Sequence, residues 1–475
     1  MNKKIFNIKT LYLLLIFLFA IPSIIHIKNS GFVLQGKEYF HIFINGEALY
    51  NNNFINGFLY FAFFAIMFAI YFVFLKKRKK LFGNIKVLLL FVILASILFA
   101  IILPITSSDI FSYATTGEIQ SRYGANPYYD TISKIKGNYD TSDNQILNSI
   151  TIWDNQLVIY GPLWSLICAI ITFLSFSNVS LALILFKVFA IAIHIGNCVL
   201  IYKITHKKFW VILYGLNPYI LFETISNVHN DLYLVFFTIL ALYFFIKKKN
   251  LLMTLIFLAC ATTIKYLTVL LVPLLLIYYY RNETLGKRIL KCIKSGLLYT
   301  FFVMLIYMIY LRDIETIFYV FIQQEKYRES LLTILLLFSH KMRDPNIVTF
   351  AKNFIFIGYI VLYVVLIIKL LLTKNIKFGN IMKKWNVLIL MFILLYITNL
   401  CVWYFVWLFT AVIWQNRAFT QTTLYLPFIY ELLVSKYFFL GGELASETYW
   451  FSIVAIICTL GIVKLDKFKN IKLFE

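Results

Sequence analysis

Acidic and tyrosine side chains are concentrated in one polar segment, residues 105–160, in an otherwise apolar half of the chain. Asp109 closely follows an apolar run, so its carboxylate is expected near a membrane surface, beside Tyr113 and Tyr128. A carboxylate in that position could take a proton from a hydroxyl group. Alternatively, Asp109 is the N-cap of a helix that begins at Ile110. Position alone favours the cap, so the rest of the chain must decide.

Lys265 is the one charge within an apolar stretch of about thirty residues, 251–280. Basic segments at 247–249 and 281–294 flank the stretch, and both are typical of cytoplasmic loops. A straight helix of that length would measure about 45 Å and would end on the wrong side of a membrane about 30 Å thick. We therefore predict two short passes that meet near Lys265. An ionisable group at such a depth favours a function, here the binding of an anionic phosphate, over a lysine that snorkels to the interface.

His229 and Asp231 lie in a polar stretch, 226–231, between two apolar runs. Basic residues beyond both runs place this stretch at an outer turn, on the side predicted for Asp109 and Lys265. The alternative is that His229 and Asp231 are ordinary turn residues. Because His229 and Asp231 are predicted on the same side as Lys265, a functional role and an ordinary turn are equally supported.

Two further groups have a functional and a structural interpretation. Arg122 could bind a phosphate through two hydrogen bonds, although a loop arginine more often forms a surface salt bridge. Trp403, Tyr404 and Trp407 could stack on a sugar, although aromatic residues also form belts at membrane interfaces. For these aromatic residues, statistics alone favour the belt.

Composition defines the class of protein. Of 475 residues, 61% are hydrophobic and 14% charged, which indicates that lipid is the solvent for most of the chain. The net charge of +23 comes from short lysine clusters between apolar runs, a pattern of cytoplasmic loops that excludes nucleic-acid binding. The six cysteines occur singly, and no nucleotide-binding loop or zinc motif is present. We expect no metal and no cofactor.

The apolar runs predict an all-α polytopic membrane helix bundle, residues 1–475, as a single integral membrane domain with about 12–14 crossings. The basic N-terminus and the cluster at 76–80 predict cytoplasmic termini. Large external loops are then expected at 105–160, after the third apolar run, and at 312–350. The path of residues 161–203 is the least determined, and we expect the piece after Tyr160 to be re-entrant or interfacial.

Seven short motifs occur in order along this chain. They are DIFSY from Asp109 to Tyr113, YGANPY from Tyr123 to Tyr128, YGPLW from Tyr160 to Trp164, Asn217-Pro218, His229-Asn230-Asp231, Lys265-Tyr266 and WYFVW from Trp403 to Trp407. In this order they resemble the GT-C superfamily of polytopic glycosyltransferases, and most closely the bacterial mannosyltransferases that use polyprenyl-phosphate mannose.

The resemblance implies transfer of one sugar, expected to be mannose, from a polyprenyl-phosphate donor to a glycan or glycolipid hydroxyl, with inversion, outside a bacterial cell membrane. It makes Asp109 the general base. Many relatives carry paired acids where this chain has Asp109 alone, so no metal role is expected. The donor phosphate would be bound by Lys265, His229 and Arg122. The implied substrate-binding residues are Tyr113, Asn126, Tyr128, Tyr160, Trp164, Asp231, Trp403 and Tyr404. The alternatives are a transporter or flippase of lipid-linked glycans, or a polymerase or ligase of such glycans.

Overall fold

The computed structural model describes residues 3–30, 53–149, 154–313, 345–396, 401–414 and 417–439, together with 457 and 461. In these residues all regular structure is helical and no strand occurs. The prediction of an all-α membrane protein is confirmed. Most of the second predicted loop, 312–350, and the last apolar run, 449–463, lie outside the described residues.

The chain divides into two compact units. The first takes residues up to Phe236, with the described parts of Ile309–Val320 and Glu431–Leu444. Its helices are α1 (Lys3–Ser30), α2 (Asn53–Lys76), a single turn at Arg78–Leu81, α3 (Ile85–Ile101), α4 (Asp109–Ser121), α5 (Ile132–Asn138), α6 (Pro162–Phe173), α7 (Val179–Thr205), α8 (Lys208–Gly215), α9 (Pro218–Leu221) and the start of α10 (Asp231–Tyr243). The boundary between the units falls within α10.

The second unit contains the rest of α10 and the helices that follow it. These are α11 (Leu251–Thr262), α12 (Leu271–Tyr279), α13 (Leu285–Tyr307), α14 (Pro345–Leu372), α15 (Phe378–Met391) and most of α16 (Arg417–Phe439). Short 3₁₀ segments occur at Leu147–Ser149, Tyr266–Leu270, Val402–Thr410 and Val412–Trp414, and π-helical segments at Phe222–Ser226, Phe244–Lys248 and Phe392–Tyr396.

Five of the described helices are long and apolar enough to cross a membrane. They are Ile8–Lys28, Phe54–Lys76, Val179–Thr205, Leu285–Tyr307 and Asn353–Leu372. A sixth candidate is the pair Pro218–Ser226 and Asp231–Lys248, which is bent by 114° at the turn between them. The chain is therefore a multi-pass membrane protein, while the number of crossings and the side of each loop stay predictions.

Several apolar helices are too short to span a bilayer core, and three of them lie where the sequence predicted short segments. Pro162–Ser175 is short, in keeping with a re-entrant or interfacial piece after Tyr160. The apolar stretch 251–280 forms two short helices, α11 and α12, with Lys265 in extended backbone between them. The helix is therefore interrupted at Lys265, as predicted, while the two passes stay a prediction.

The polar segment after α3 is largely structured. Helix α4 begins at Asp109, with Ser108 as its N-cap, and packs closely on α6. Gly117 makes this approach possible, because a Cβ atom there would lie 2.6 Å from the carbonyl carbon of Cys168 and from Thr172 Oγ1. Proline at the first position of α6, where an amide hydrogen would have no helical partner, begins that helix at Pro162.

Candidate active site

Asp109 is the first residue of α4, and its backbone amide donates to Ser107 Oγ over 3.2 Å. The alternative in which Asp109 itself caps the helix is wrong, because Ser108 occupies that position and the helix starts one residue earlier. The carboxylate oxygen Oδ2 instead accepts hydrogen bonds from the hydroxyls of Tyr113 and Tyr160, each over 3.3 Å. The side chain is 19% exposed.

Local structure explains both phenol contacts. Tyr113 lies four residues after Asp109 on α4, the spacing at which helical side chains meet. Tyr160 lies two residues before α6, and its ring packs edge-on to Tyr113 at 5.1 Å. The close packing of α4 on α6 therefore brings both hydroxyls to one carboxylate oxygen.

His229 connects Asp109 to a second carboxylate. Its Nδ1 lies 3.3 Å from Asp109 Oδ2, and its Nε2 lies 3.2 Å from Glu223 Oε2. His229 and Glu223 are both completely buried. A neutral imidazole has one N–H, whereas the imidazolium ion has two, so a ring between two carboxylates is best matched by the cation.

The turn that presents His229 has an unusual backbone. It follows a π-helical turn, Phe222–Ser226, in which the Asn227 amide donates to the Phe222 carbonyl. Val228 has φ of +59°, a left-handed conformation that is costly for a β-branched residue. The His229 amide then donates to the Glu223 carbonyl over 3.1 Å. Strain of this kind persists only where the surrounding structure imposes it, and it is common at functional sites.

Behind Glu223 lies a second buried acid that sequence reasoning missed. Glu431, from α16, interacts electrostatically with Glu223 and accepts a hydrogen bond from the Tyr60 hydroxyl of α2. Asn227 Nδ2 lies 3.3 Å from Glu223 Oε2 and donates to Thr106 Oγ1 over 2.7 Å. Both glutamates interrupt apolar runs in the sequence. Since acids at such positions are costly, their presence within apolar runs could have identified them as candidate functional residues.

The other predicted residues of the first unit have differing surroundings. Trp164 is fully buried and packs against Tyr113 and Tyr233, with ring centroids 4.9 and 4.8 Å apart. It therefore supports Tyr113 from behind and offers no face to a sugar. Asp231 is also completely buried, as the first residue of α10.

Asn126 and Tyr128 hold the polar segment together. Asn126 Nδ2 donates to the Tyr310 carbonyl over 2.8 Å, and the Tyr128 hydroxyl donates to the Tyr160 carbonyl over 2.7 Å. The backbone amide of Asn126 donates to the Asp130 carboxylate. A hydrogen bond from the Lys134 ammonium holds the pKa of Asp130 below its usual range. These contacts position Tyr160 and hence the hydrogen bond from its hydroxyl to Asp109.

Arg122 is not brought to Asp109. It is exposed and follows the last residue of α4, whereas Asp109 is the first residue. A helix of 13 residues is about 20 Å long, so the two side chains start from opposite ends of it.

The second unit contains a cation on an aromatic surface. Lys265 Nζ lies 5.0 Å from the ring centroid of Tyr404 and 5.6 Å from that of Trp407. The Tyr404 ring also packs against Trp407 at 4.9 Å and Trp403 at 5.9 Å. The sequence identified these side chains separately, and the fold of this unit brings them together.

Comparison with known families matches residues 35–281 to the model of the alpha-(1→6)-mannopyranosyltransferase family, MptA/B, N-terminal domain. This match covers more than half of the chain. The chain belongs to this family. The resemblance to mannosyltransferases is thereby confirmed. No curated protein and no solved structure gives a significant match.

The family match covers most of the groups described in this chain. Asp109, Glu223, His229 and Lys265 all fall inside the matched residues, whereas Trp403, Tyr404 and Glu431 lie beyond them. As a member of the family, the chain is a membrane mannosyltransferase. In the described residues, no group of three or more His, Cys, Asp or Glu side chains is arranged to hold a metal ion.

Proposed function

We propose that this mannosyltransferase moves one mannose from polyprenyl-phosphate mannose to a hydroxyl of an extracytoplasmic glycan or glycolipid, with inversion at the anomeric carbon. The observation that carries the proposal is the partly exposed Asp109 carboxylate, fixed by two phenols and by a buried histidine. The family match favours this activity over the transporter alternative.

Asp109 acts as general base in one displacement. The acceptor hydroxyl gives its proton to the carboxylate while its oxygen bonds to the anomeric carbon, and the bond from that carbon to the phosphate oxygen breaks. Polyprenyl phosphate leaves with the electron pair. The contacts of Tyr113, Tyr160 and His229 with Oδ2 keep Asp109 ionised before the reaction and fix its orientation.

The leaving phosphate needs compensation of its charge rather than a proton. We assign this role to Lys265, whose ammonium lies over aromatic rings that can also pack on the donor sugar. His229 is placed between two carboxylates, so its charge serves Asp109 rather than the donor. Arg122, exposed at the far end of α4, is assigned no contact with the reacting groups.

A lipid-linked donor suits the chain better than a nucleotide sugar. The described residues form no strand, and hence no sheet of the kind that binds nucleotides in α/β folds. Helices α13 and α14, in contrast, expose most of their apolar surface, as expected for segments in contact with lipid.

The donor is tested with purified protein in liposomes that contain a membrane glycolipid extract. Mannose labelled with ¹⁴C is supplied either as polyprenyl-phosphate mannose or as GDP-mannose, and label in the glycolipid is counted. We expect transfer from the lipid donor with release of polyprenyl phosphate, and none from GDP-mannose. Transfer from GDP-mannose alone would overturn the proposed donor.

A further inference from the structure

A line of buried ionisable groups extends from Asp109 into the first unit. It runs from Asp109 through His229 to Glu223, and from there to Glu431 and Tyr60. All of these groups except Asp109 are completely inaccessible to solvent. Acids and a histidine buried in this way cost folding free energy, so a function is the expected reason for their retention.

The contacts decide where the protons lie. Glu223 and Glu431 interact electrostatically in the interior, and because two interacting buried carboxyls are costly to ionise together, one of them is expected to carry a proton. The His229 ring lies against Glu223, and the side-chain amide of Asn227 lies near the same carboxylate oxygen, so negative charge is favoured on Glu223. The proton therefore belongs on Glu431, beside the Tyr60 hydroxyl.

Two other charged groups lie nearby, Lys187 and Asp231. The ammonium of Lys187 donates to the carbonyls of Ile102 and Ser226, over 2.6 and 3.0 Å. Asp231 is completely buried at the start of α10, two residues beyond His229. The two carboxylates at the ring nitrogens of His229 are thus Asp109 on one side and Glu223 on the other.

We infer that Glu223 is a positioning residue, which keeps His229 in the imidazolium form and through it orients Asp109 and holds that carboxylate ionised. This inference rests on the proposed role of Asp109 as base. Without Glu223, the ring loses one of the two carboxylates that contact its nitrogens, and desolvation then favours the neutral imidazole. A neutral ring can direct a lone pair at Asp109 instead of a proton.

The first test measures the protonation of His229 directly and needs no substrate. Protein labelled with ¹⁵N-histidine is placed in liposomes at pH 8, where an ordinary imidazole, with a pKa of about 6.5, is neutral. Solid-state NMR then distinguishes rings with two N–H groups from rings with one. Among the six histidines, His229→Gln identifies the signal of this ring.

We expect a doubly protonated ring in the wild type that is absent from His229→Gln and from Glu223→Gln. Glu118→Gln is the matched control, because Glu118 is also a buried acid of this unit but is hydrogen-bonded to Asn144. That control should keep the signal. A neutral His229 in the wild type, or a doubly protonated ring that persists in Glu223→Gln, would overturn the inference.

The second test uses transfer kinetics. Glu223→Gln should lower kcat by about tenfold or more with little change in the KM for the acceptor, as expected when charge on a base is altered without loss of binding. In the His229→Gln background, Glu223→Gln should have no further effect, since Glu223 acts through the ring. If the two substitutions instead lowered kcat by independent factors that multiply, Glu223 would have a purely structural role and the inference would be wrong. Absence of transfer by the wild type would refute the proposed donor and leave the NMR result to stand alone.

Discussion

Gly117 offers a sharp test of how the fold positions Asp109. In Gly117→Ala, the new Cβ would meet the Cys168 carbonyl, with 2.6 Å to its carbon, whereas ordinary contacts between carbon atoms are about 3.5–4.0 Å. Because the obstructing atoms belong to the backbone, α4 and α6 must separate by about 1 Å. Overpacking of this kind lowers the free energy of unfolding by about 1–3 kcal/mol.

The same displacement acts on the site. Tyr160 precedes α6, so its 3.3 Å contact with Asp109 would lengthen to about 4.3 Å, which is beyond hydrogen-bond range. A misplacement of about 1 Å reduces catalysis by roughly 100-fold. We therefore expect Gly117→Ala to unfold at a lower temperature and to transfer mannose about 100 times more slowly.

Unfolding is followed by tryptophan fluorescence in detergent, and transfer is measured in liposomes. Gly137→Ala is the matched control, because Gly137 lies in α5 with no atom within 4 Å of the position of its Cβ. It should be as stable as the wild type or slightly more so, since alanine favours helix by about 0.5–1 kcal/mol. Wild-type stability and activity in Gly117→Ala would refute the close packing of α4 on α6.

Substitutions at three further positions test individual assignments. Tyr160→Phe removes one hydrogen bond to Asp109 and should reduce kcat by about tenfold or more, in line with about 1.5–3 kcal/mol for a bond to a charged group. Unchanged kcat would remove Tyr160 from the site. Lys265→Met should raise the KM for the lipid donor and lower kcat, whereas Lys265→Arg should keep partial activity because it keeps the positive charge. Equal kinetics in Lys265→Met and the wild type would exclude a role in phosphate binding. Arg122→Ala should retain wild-type transfer, because Arg122 is exposed and lies at the other end of α4, about 20 Å from Asp109 along the helix. A large loss of transfer in this variant would contradict that placement.

The elements that follow strong rules could be predicted from the sequence. The break at Lys265 followed from charge flanking an apolar stretch that is too long for one crossing. The polar turn at His229 between two apolar runs was also predicted, and the structure places a sharp bend there. In both cases a single physical constraint, the thickness of the membrane or the side of the basic loops, determines the local structure.

Other features depend on contacts that no short pattern contains. Helix α4 lies in a segment predicted as an external loop. A helix from Ile110 was considered there, but the packing of α4 on α6 through Gly117 depends on tertiary contacts. The approach of Glu431 to Glu223 joins positions about 200 residues apart, which only the tertiary fold determines. The acids themselves were visible within apolar runs, but their partners were not.

The most direct measurement compares Asp109→Asn with the wild type for release of polyprenyl phosphate from polyprenyl-phosphate mannose in liposomes. Asparagine keeps the size of the side chain but cannot accept the proton, and general-base catalysis contributes about 10²- to 10⁴-fold. Asp140→Asn, at an exposed carboxylate of the same polar segment that is hydrogen-bonded to Ser142, is the control for loss of an acid as such. We expect a loss of that size in Asp109→Asn, with tryptophan fluorescence showing normal unfolding, and near-normal release in Asp140→Asn. Release by Asp109→Asn at the wild-type rate would contradict the assignment of Asp109 as the base.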